Sequence, residues 1–256
     1  MPSVHFLGTG AAISDPHRTT TMLAVTDDPA SPQTLLVDCG GDALQRLQQC
    51  GPSIDSLTGL IITHAHMDHV SGFPLLMEKV WLDGRDRALP VVGIEAALAQ
   101  ARRSWEAFAP VHRDWEGLPP IDWRTVEHEP ETTMWHEGAW TVTGTPVPHG
   151  DTPNVGLRFA HGPTGRVLAY SCDTSGPAER VVELAEGADL LVHEANGGPS
   201  ENHSTAAEAA QVADRAGVDR LLLVHLPPGD KSADLRRARQ IFPHTDLGAE
   251  LGTVPL

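Results

Sequence analysis

Short apolar runs bounded by Gly, Pro, Asp or Ser recur along the chain, and each is of strand length. Val4–Leu7, Met22–Val25, Leu35–Val37 and Leu60–Ile62 come first. Trp140–Val147, Val155–Phe159 and Val167–Tyr170 follow, with turn residues over Gly150–Pro153 and Gly162–Gly165. Leu190–Val192 and Leu221–Val224 complete the set. Helical spacing covers Asp42–Gln49, Glu95–Phe108, Ala178–Glu186, Thr205–Ala216 and a basic stretch, Ser232–Ile241. Strands grouped early, then strand–helix alternation, predict an α/β protein whose sheets are covered by helices on their outer faces. Neither an internal repeat nor a low-complexity linker interrupts the pattern, so one domain over residues 1–256 is expected.

One stretch resists this reading. All six tryptophans lie between Trp81 and Trp140, and Pro110, Pro119, Pro120 and Pro130 break up the segment, which predicts irregular backbone over part of it. Its tryptophans suit a peripheral core layer; a pocket wall or subunit interface is the alternative.

Composition narrows the classes. With 40% hydrophobic and 20% charged residues the chain is ordinary globular protein. No apolar run approaches the roughly 20 residues of a membrane helix, and the opening Met1–Gly8 does not read as a signal peptide. Three cysteines (Cys39, Cys50, Cys172) are too few for a disulfide framework, so a reducing, cytoplasmic setting is expected. Eighteen basic against 34 acidic residues give a net charge of −16, which argues against a broad nucleic-acid surface. The basic residues Lys231, Arg236, Arg237 and Arg239 of one helix are more simply a solvated face. Histidine, at 14, is the unusual count.

The histidines concentrate chemistry. His64-Ala-His66-Met-Asp68-His69 directly follows Leu60–Thr63, placing three imidazoles and a carboxylate within six residues just past a strand. Neutral imidazole nitrogens and carboxylate oxygens are the donors zinc takes at about 2 Å. Side chains two apart in a loop can converge on one ion while the Asp–His pair turns to a second. His149, Asp173 and His225 each lie one to three residues past an apolar strand, where open sheets carry their sites. Gly8-Thr9-Gly10-Ala11-Ala12-Ile13 has Ile where a dinucleotide fingerprint needs Gly or Ala, so that reading is set aside.

These motifs, with the opening Leu7-Gly8-Thr9-Gly10-Ala11-Ala12, resemble the metallo-β-lactamase superfamily over almost the whole length. The resemblance implies an αββα sandwich with a dinuclear metal site on one edge. It implies that His64, His66 and His149 hold one ion, Asp68, His69 and His225 the other, and that Asp173 bridges both. Zn2+ is the expected metal, with Mn2+ or Fe as alternatives on similar donors. Two ions could share a hydroxide and clamp an oxyanion, and their charge against two aspartates keeps the site locally positive.

Two more stretches narrow the resemblance. Val192-His193-Glu194-Ala195 and Asn202-His203-Ser204-Thr205 look like the His-Glu-Ala and His-Ser-Thr motifs of the ribonuclease Z branch, which cleaves phosphodiesters in precursor tRNA. By matching position His203 would protonate the leaving oxygen, with Glu194 a candidate partner that orients or charges it; Asp68, besides binding metal, is expected to orient the attacking hydroxide. The plainer reading is that Ser204 or Thr205 caps a helix, with Glu208 nearby. The tRNA-gripping arm of that branch lies between the ligands matching His149 and Asp173, where only 24 residues separate them here. A small or cyclic phosphodiester is therefore the expected substrate, with no stable nucleic-acid partner and no membrane; the resemblance also suggests a homodimer. A hydrolase of lactones, thioesters or sulfate esters is the nearest alternative, and a non-catalytic metal-stabilised binding module the alternative from another class.

Overall fold

A computed structural model of the protein describes residues 1–27, 33–197 and 202–256. The first sheet is built from β1 (Ser3–Gly8), β2 (Met22–Thr26), β3 (Thr34–Val37), β4 (Leu57–Ile62), β5 (Leu89–Ile94) and β6 (Ile121–Val126), hydrogen-bonded in that order. The second runs β7 (Thr132–Glu137), β8 (Trp140–Pro146), β9 (Val155–His161), β10 (Val167–Tyr170), β11 (Leu190–Glu194), β12 (Leu221–Val224) and β13 (Thr245–Leu247). A last strand, β14 (Thr253–Pro255), returns to pair antiparallel with β1. Each seven-stranded sheet is mixed: β1 to β3 and β7 to β10 pair antiparallel, whereas β3 to β6 and β10 to β13 pair parallel. The α/β sandwich expected from the sequence is the fold observed.

Parallel pairing needs crossovers, and the helices supply them. The helices are α1 (Ala43–Cys50), α2 (Met67–Val70), α3 (Phe73–Leu82), α4 (Glu95–Glu106), α5 (Ala109–His112), α6 (Glu179–Ala185), α7 (Ala206–Ala216) and α8 (Ser232–Ile241). Period-two alternation decides which side of the second sheet meets them. Leu190, Val192, Leu222 and Val224 join the core between the sheets, whereas Leu191, Leu221 and Leu223 pack under α6 and α7 against Val181, Ala209, Val212 and Ala213. Each such fully buried aliphatic contributes roughly 1.5–3 kcal/mol of transfer free energy.

The helix ends are chemically explicit. Asp42 caps α1 by accepting from the Gln45 amide, and Thr205 caps α7 in a box with Glu208 that satisfies two otherwise orphaned amides. Gly217 ends α7 in the left-handed conformation.

The tryptophan segment corrects the sequence reading in part. Irregular backbone occupies part of it, as expected: residues 83–88, most of 107–120, 127–131 and 138–139; the rest forms the end of α3, β5, α4, β6 and β7. β5 was hidden because Pro90 and Gly93 look like breakers, yet the strand lies centrally, paired on both sides. α3 was hidden by Pro74, which sits in its first turn, where no intrahelical amide is needed. Trp135 and Trp140 lie in the core, Trp105 and Trp123 pack against it, and Trp81 stacks on Trp115 at the surface. The core-layer reading thus describes four of the six. No helix among the described residues is long and apolar enough to cross a membrane.

Candidate metal centre

Every strand feeding the site arrives pointing the same way. β3 and β4 are parallel, and β8 and β10 both run antiparallel to the intervening β9, so β8, β10, β11 and β12 share one direction. The residues that follow their carboxyl ends therefore meet on one edge of the sandwich. His64 and His66 leave β4 before α2 starts, and Asp68 and His69 occupy the first turns of that short helix. Tight approach makes this placement available: a Cβ on Gly40 would lie 1.6 Å from the Asp68 carbonyl oxygen, and one on Gly72 2.0 Å from that of Gly41.

All seven residues singled out as ligands come together. His64, His66 and His149 form one group whose donor atoms lie within 4.8 Å of one another, and Asp68, His69, Asp173 and His225 form a second. Asp173 connects the two, with Oδ2 3.3 Å from His225 Nε2, 3.5 Å from His69 Nε2 and 3.9 Å from both His64 and His149 Nε2. His203 is also near, its ring centroid 5.3 Å from that of His225 and 5.1 Å from that of His149.

Hydrogen bonds around the rim fix which nitrogen of His69, His149, His64 and His225 carries a proton. Asp38 Oδ2 can only accept, so His69 Nδ1, 2.7 Å away, donates and leaves Nε2 facing inward. The Asn202 carbonyl likewise takes the Nδ1 proton of His149 at 2.9 Å. Thr63 gives its hydroxyl proton to Asp38 and so accepts from His64 Nδ1 at 3.1 Å and from the Cys172 thiol at 3.0 Å. Thr21 donates to the Gly10 carbonyl, leaving its oxygen to face His225 Nδ1 at 3.4 Å. Thr152 Oγ1 lies 3.0 Å from His66 Nε2, on the outer side of that ring.

His64 and His149 Nε2, both left as acceptors, converge on His66 Nδ1 at 3.1 and 3.2 Å, where one proton could satisfy at most one of them. In the second group, His69 Nε2 and Asp173 Oδ1 are buried without a hydrogen-bond partner. Converging acceptors and orphaned polar atoms in a buried site are unfavourable unless a cation lies among them. The donor set, imidazole nitrogen with carboxylate oxygen, fits a divalent transition metal.

Charge follows the same partition. Burial and the neighbouring His69 push His64 well below the usual histidine range, and burial lowers His149 and His225 too. Neutral imidazole is the ligating form. Burial opposes a charge on His69, but Asp173 and Asp38 outweigh it and hold its pKa well above the ordinary value. Burial likewise opposes the Asp173 carboxylate, and His225 and His69 overcome that, keeping it well below the usual range.

At the mouth stands a second carboxylate–histidine pair. Glu194 is fully buried and accepts from the amides of Ser204 at 2.7 Å, Asn196 at 2.8 Å and Thr174 at 3.3 Å. Its Oε1 also takes the Nδ1 proton of His203 at 3.1 Å. Burial lowers the His203 pKa, and the bond and charge of Glu194 more than compensate, leaving it raised.

Sequence reading missed Asp38, Thr63, Thr21 and Thr152. Asp38 was findable, since it follows Leu35–Val37 as His225 follows Leu221–Val224. Asp38, Cys172 and His225 share a further feature at their strand ends, positive φ angles of 62°, 52° and 55°. Such conformations are costly for side-chain-bearing residues and persist where the surroundings impose them.

A family model described as the beta-lactamase superfamily domain matches residues 33–226. A relative from Methanothermobacter thermautotrophicus named ribonuclease Z is 30% identical, with 99% of this chain and 96% of that protein covered. Among solved structures, the metallo-β-lactamase fold protein YhfI from Bacillus subtilis superposes with a TM-score of 0.79 at 23% identity, covering 99% of this chain and 98% of that one. The short form of human tRNase Z superposes at 0.78, also with 23% identity and the same coverage. The chain belongs to the metallo-β-lactamase superfamily, in its ribonuclease Z-like branch, and is a metallo-hydrolase.

Proposed function

We propose that the protein hydrolyses a small or cyclic phosphodiester, with His203 as the general acid. The observation that carries this reading is the Glu194–His203 pair at 3.1 Å, set beside the histidine–aspartate cluster but with His203 still 16% exposed. In the assignment we favour, His64, His66 and His149 would hold one divalent ion and Asp68, His69 and His225 a second, with Asp173 shared between them and Zn2+ suited to these donors. What such ions supply is positive charge against the phosphate oxygens and a water acidic enough to attack near neutral pH.

The chain's own groups do the rest. Asp68, whose side chain is 12% exposed, faces solvent at the cluster and accepts a hydrogen bond from the attacking water. Because Glu194 takes the Nδ1 proton, the proton that His203 can deliver is on Nε2. Glu194 favours the protonated form of that ring, and the departing alkoxide takes the Nε2 proton as the ester bond breaks.

The size of the substrate is argued from what fills the interval between His149 and Asp173. β9 and β10 and their connecting turn occupy it, leaving no protruding arm. The ribonuclease Z alignment runs over 300 positions against 256 residues here, so at least 44 of its positions have no residue in this chain. With a net charge of −16, folded RNA is disfavoured as substrate.

Metal-loaded protein offered bis(p-nitrophenyl) phosphate alongside a panel of lactones, thioesters and aryl sulfates tests the reading. The phosphodiester should be turned over with the highest kcat/KM. A higher value for any of the others would overturn it.

A further inference from the structure

The basic helix α8 is not uniform. Lys231 donates to the Pro228 carbonyl, and Arg239 is bound to the Thr245 carbonyl and Asp246. Arg237 forms no ion pair or hydrogen bond among the described residues, and it lines a cavity of about 680 Å3. The other walls include Ala12, Ile13, Asn196, Thr205 and Pro227.

Those walls are the immediate continuations of the site. Asn196 lies two residues after Glu194, Thr205 two after His203, and Pro227 two after His225. Consecutive Cα atoms are 3.8 Å apart, so each wall residue is within about 8 Å of a site residue. Three separate segments of the centre thus continue into the walls of one cavity, though no residue of the centre is itself a wall.

The remaining wall is held rigidly. Glu250 accepts from the Thr9 amide at 2.9 Å, the Thr9 hydroxyl at 2.8 Å and the Thr19 amide at 3.0 Å, and it pairs with Arg46. It therefore clamps both ends of the loop that carries Ala12 and Ile13. Thr9 and Ala11 bond the main chain of Leu226, the residue after His225, which ties the same loop to the centre.

We infer that this cavity receives the leaving alcohol of the substrate and that Arg237 recognises a second anionic group on it. The inference rests on the phosphodiesterase reading. In an in-line displacement the attacking water and the leaving oxygen lie on opposite sides of phosphorus. The oxygen that departs must face the general acid, so the group attached to it extends past His203 toward Thr205. A cavity of this volume accommodates a nucleoside-sized group. Its charged walls are Arg237 and, one turn earlier on α8, Asp234, both exposed and unpaired among the described residues, with Asn196 and Thr205 as further polar groups. An anionic leaving group gains at Arg237 and meets repulsion at Asp234, so the two side chains set selectivity in opposite directions.

Two esters separate the possibilities: methyl 4-nitrophenyl phosphate and its analogue whose leaving nitrophenol carries a carboxylate. Arg237→Gln should raise KM at least fivefold for the carboxylate ester only, with kcat within twofold for both, and Asp234→Asn should lower that KM. Equilibrium dialysis of the free carboxynitrophenol should show the same loss in Arg237→Gln. Turnover of both esters with no Arg237 effect, or with equal effects on both, overturns the subsite and leaves the phosphodiesterase reading standing. Failure of the parent protein to cleave either ester overturns both.

Discussion

Each sheet contributes one buried carboxylate bonded to a histidine Nδ1, and the two pairs differ in how open they are to solvent. Asp38, at the end of β3, and His69 are both almost fully buried, at 2.7 Å. Glu194, at the end of β11, is as buried as Asp38, but its partner His203 at 3.1 Å keeps part of its ring exposed. In both, the carboxylate fixes the tautomer and raises the pKa of its ring. What differs is where the freed Nε2 points. That of His69 is buried beside Asp68 and Asp173 without a hydrogen-bond partner. His203 meets solvent and can exchange a proton. The same two-residue device is closed off in one case and reachable from solvent in the other.

His203→Ala is the sharpest way to break this contrast. It should lower kcat on a phosphodiester roughly 10²- to 10⁴-fold, while metal content by elemental analysis stays near that of the parent. Loss of metal instead would make His203 a ligand and erase the distinction.

His193 is the control, a buried histidine with no carboxylate. Its Nδ1 donates to the Glu194 carbonyl at 2.7 Å, its Nε2 is buried without a partner, and burial pushes its pKa down to about 4. The unfolded chain gains a proton below about pH 6.5 whereas the folded protein resists until about pH 4. Stability is therefore lost as pH falls through that window, by up to about 3 kcal/mol. In chemical denaturation of metal-free protein, His193→Gln should flatten the slope between pH 6.5 and 4; an unchanged slope would mean that other groups carry it.

Asp38→Asn tests the sealed pair. Removing the carboxylate should weaken binding of the metal held by His69 roughly 10- to 100-fold, read by competition with a chromogenic chelator. Unchanged affinity would leave Asp38 a purely structural acceptor for Thr63.

The smallest effect is expected for Glu194→Gln at the open pair. His203 must be protonated to act, so activity falls as pH rises through its raised pKa. The neutral amide removes the charge holding that value up, and the alkaline limb of the kcat profile should move to lower pH. A limb that stays in place would assign it to another group.

Local pattern was enough for much of this molecule. The strands Val4–Leu7, Val155–Phe159 and Leu221–Val224 are legible because short apolar runs meet strong breakers, and α7 because Thr205 and Glu208 write its cap. His64–His69 is legible because four donors in six residues leave few other uses for the stretch. β5 and α3 were not, since Pro90 and Pro74 break the pattern locally and only their surroundings make them tolerable. Nor could spacing show Thr152 or Thr63 as the groups facing the outer nitrogens of His66 and His64.

By itself, then, the sequence determined the strand-end placement of the donors, because side-chain type and apolar run length are properties of adjacent residues. Tertiary structure decided which donors face one another, which ring nitrogen each presents, and which of two buried carboxylate–histidine pairs is open to solvent. Those depend on the burial and mutual approach of segments far apart in the chain, as when Asp38 meets His69 across 31 residues and Glu250 clamps Thr9 across 241.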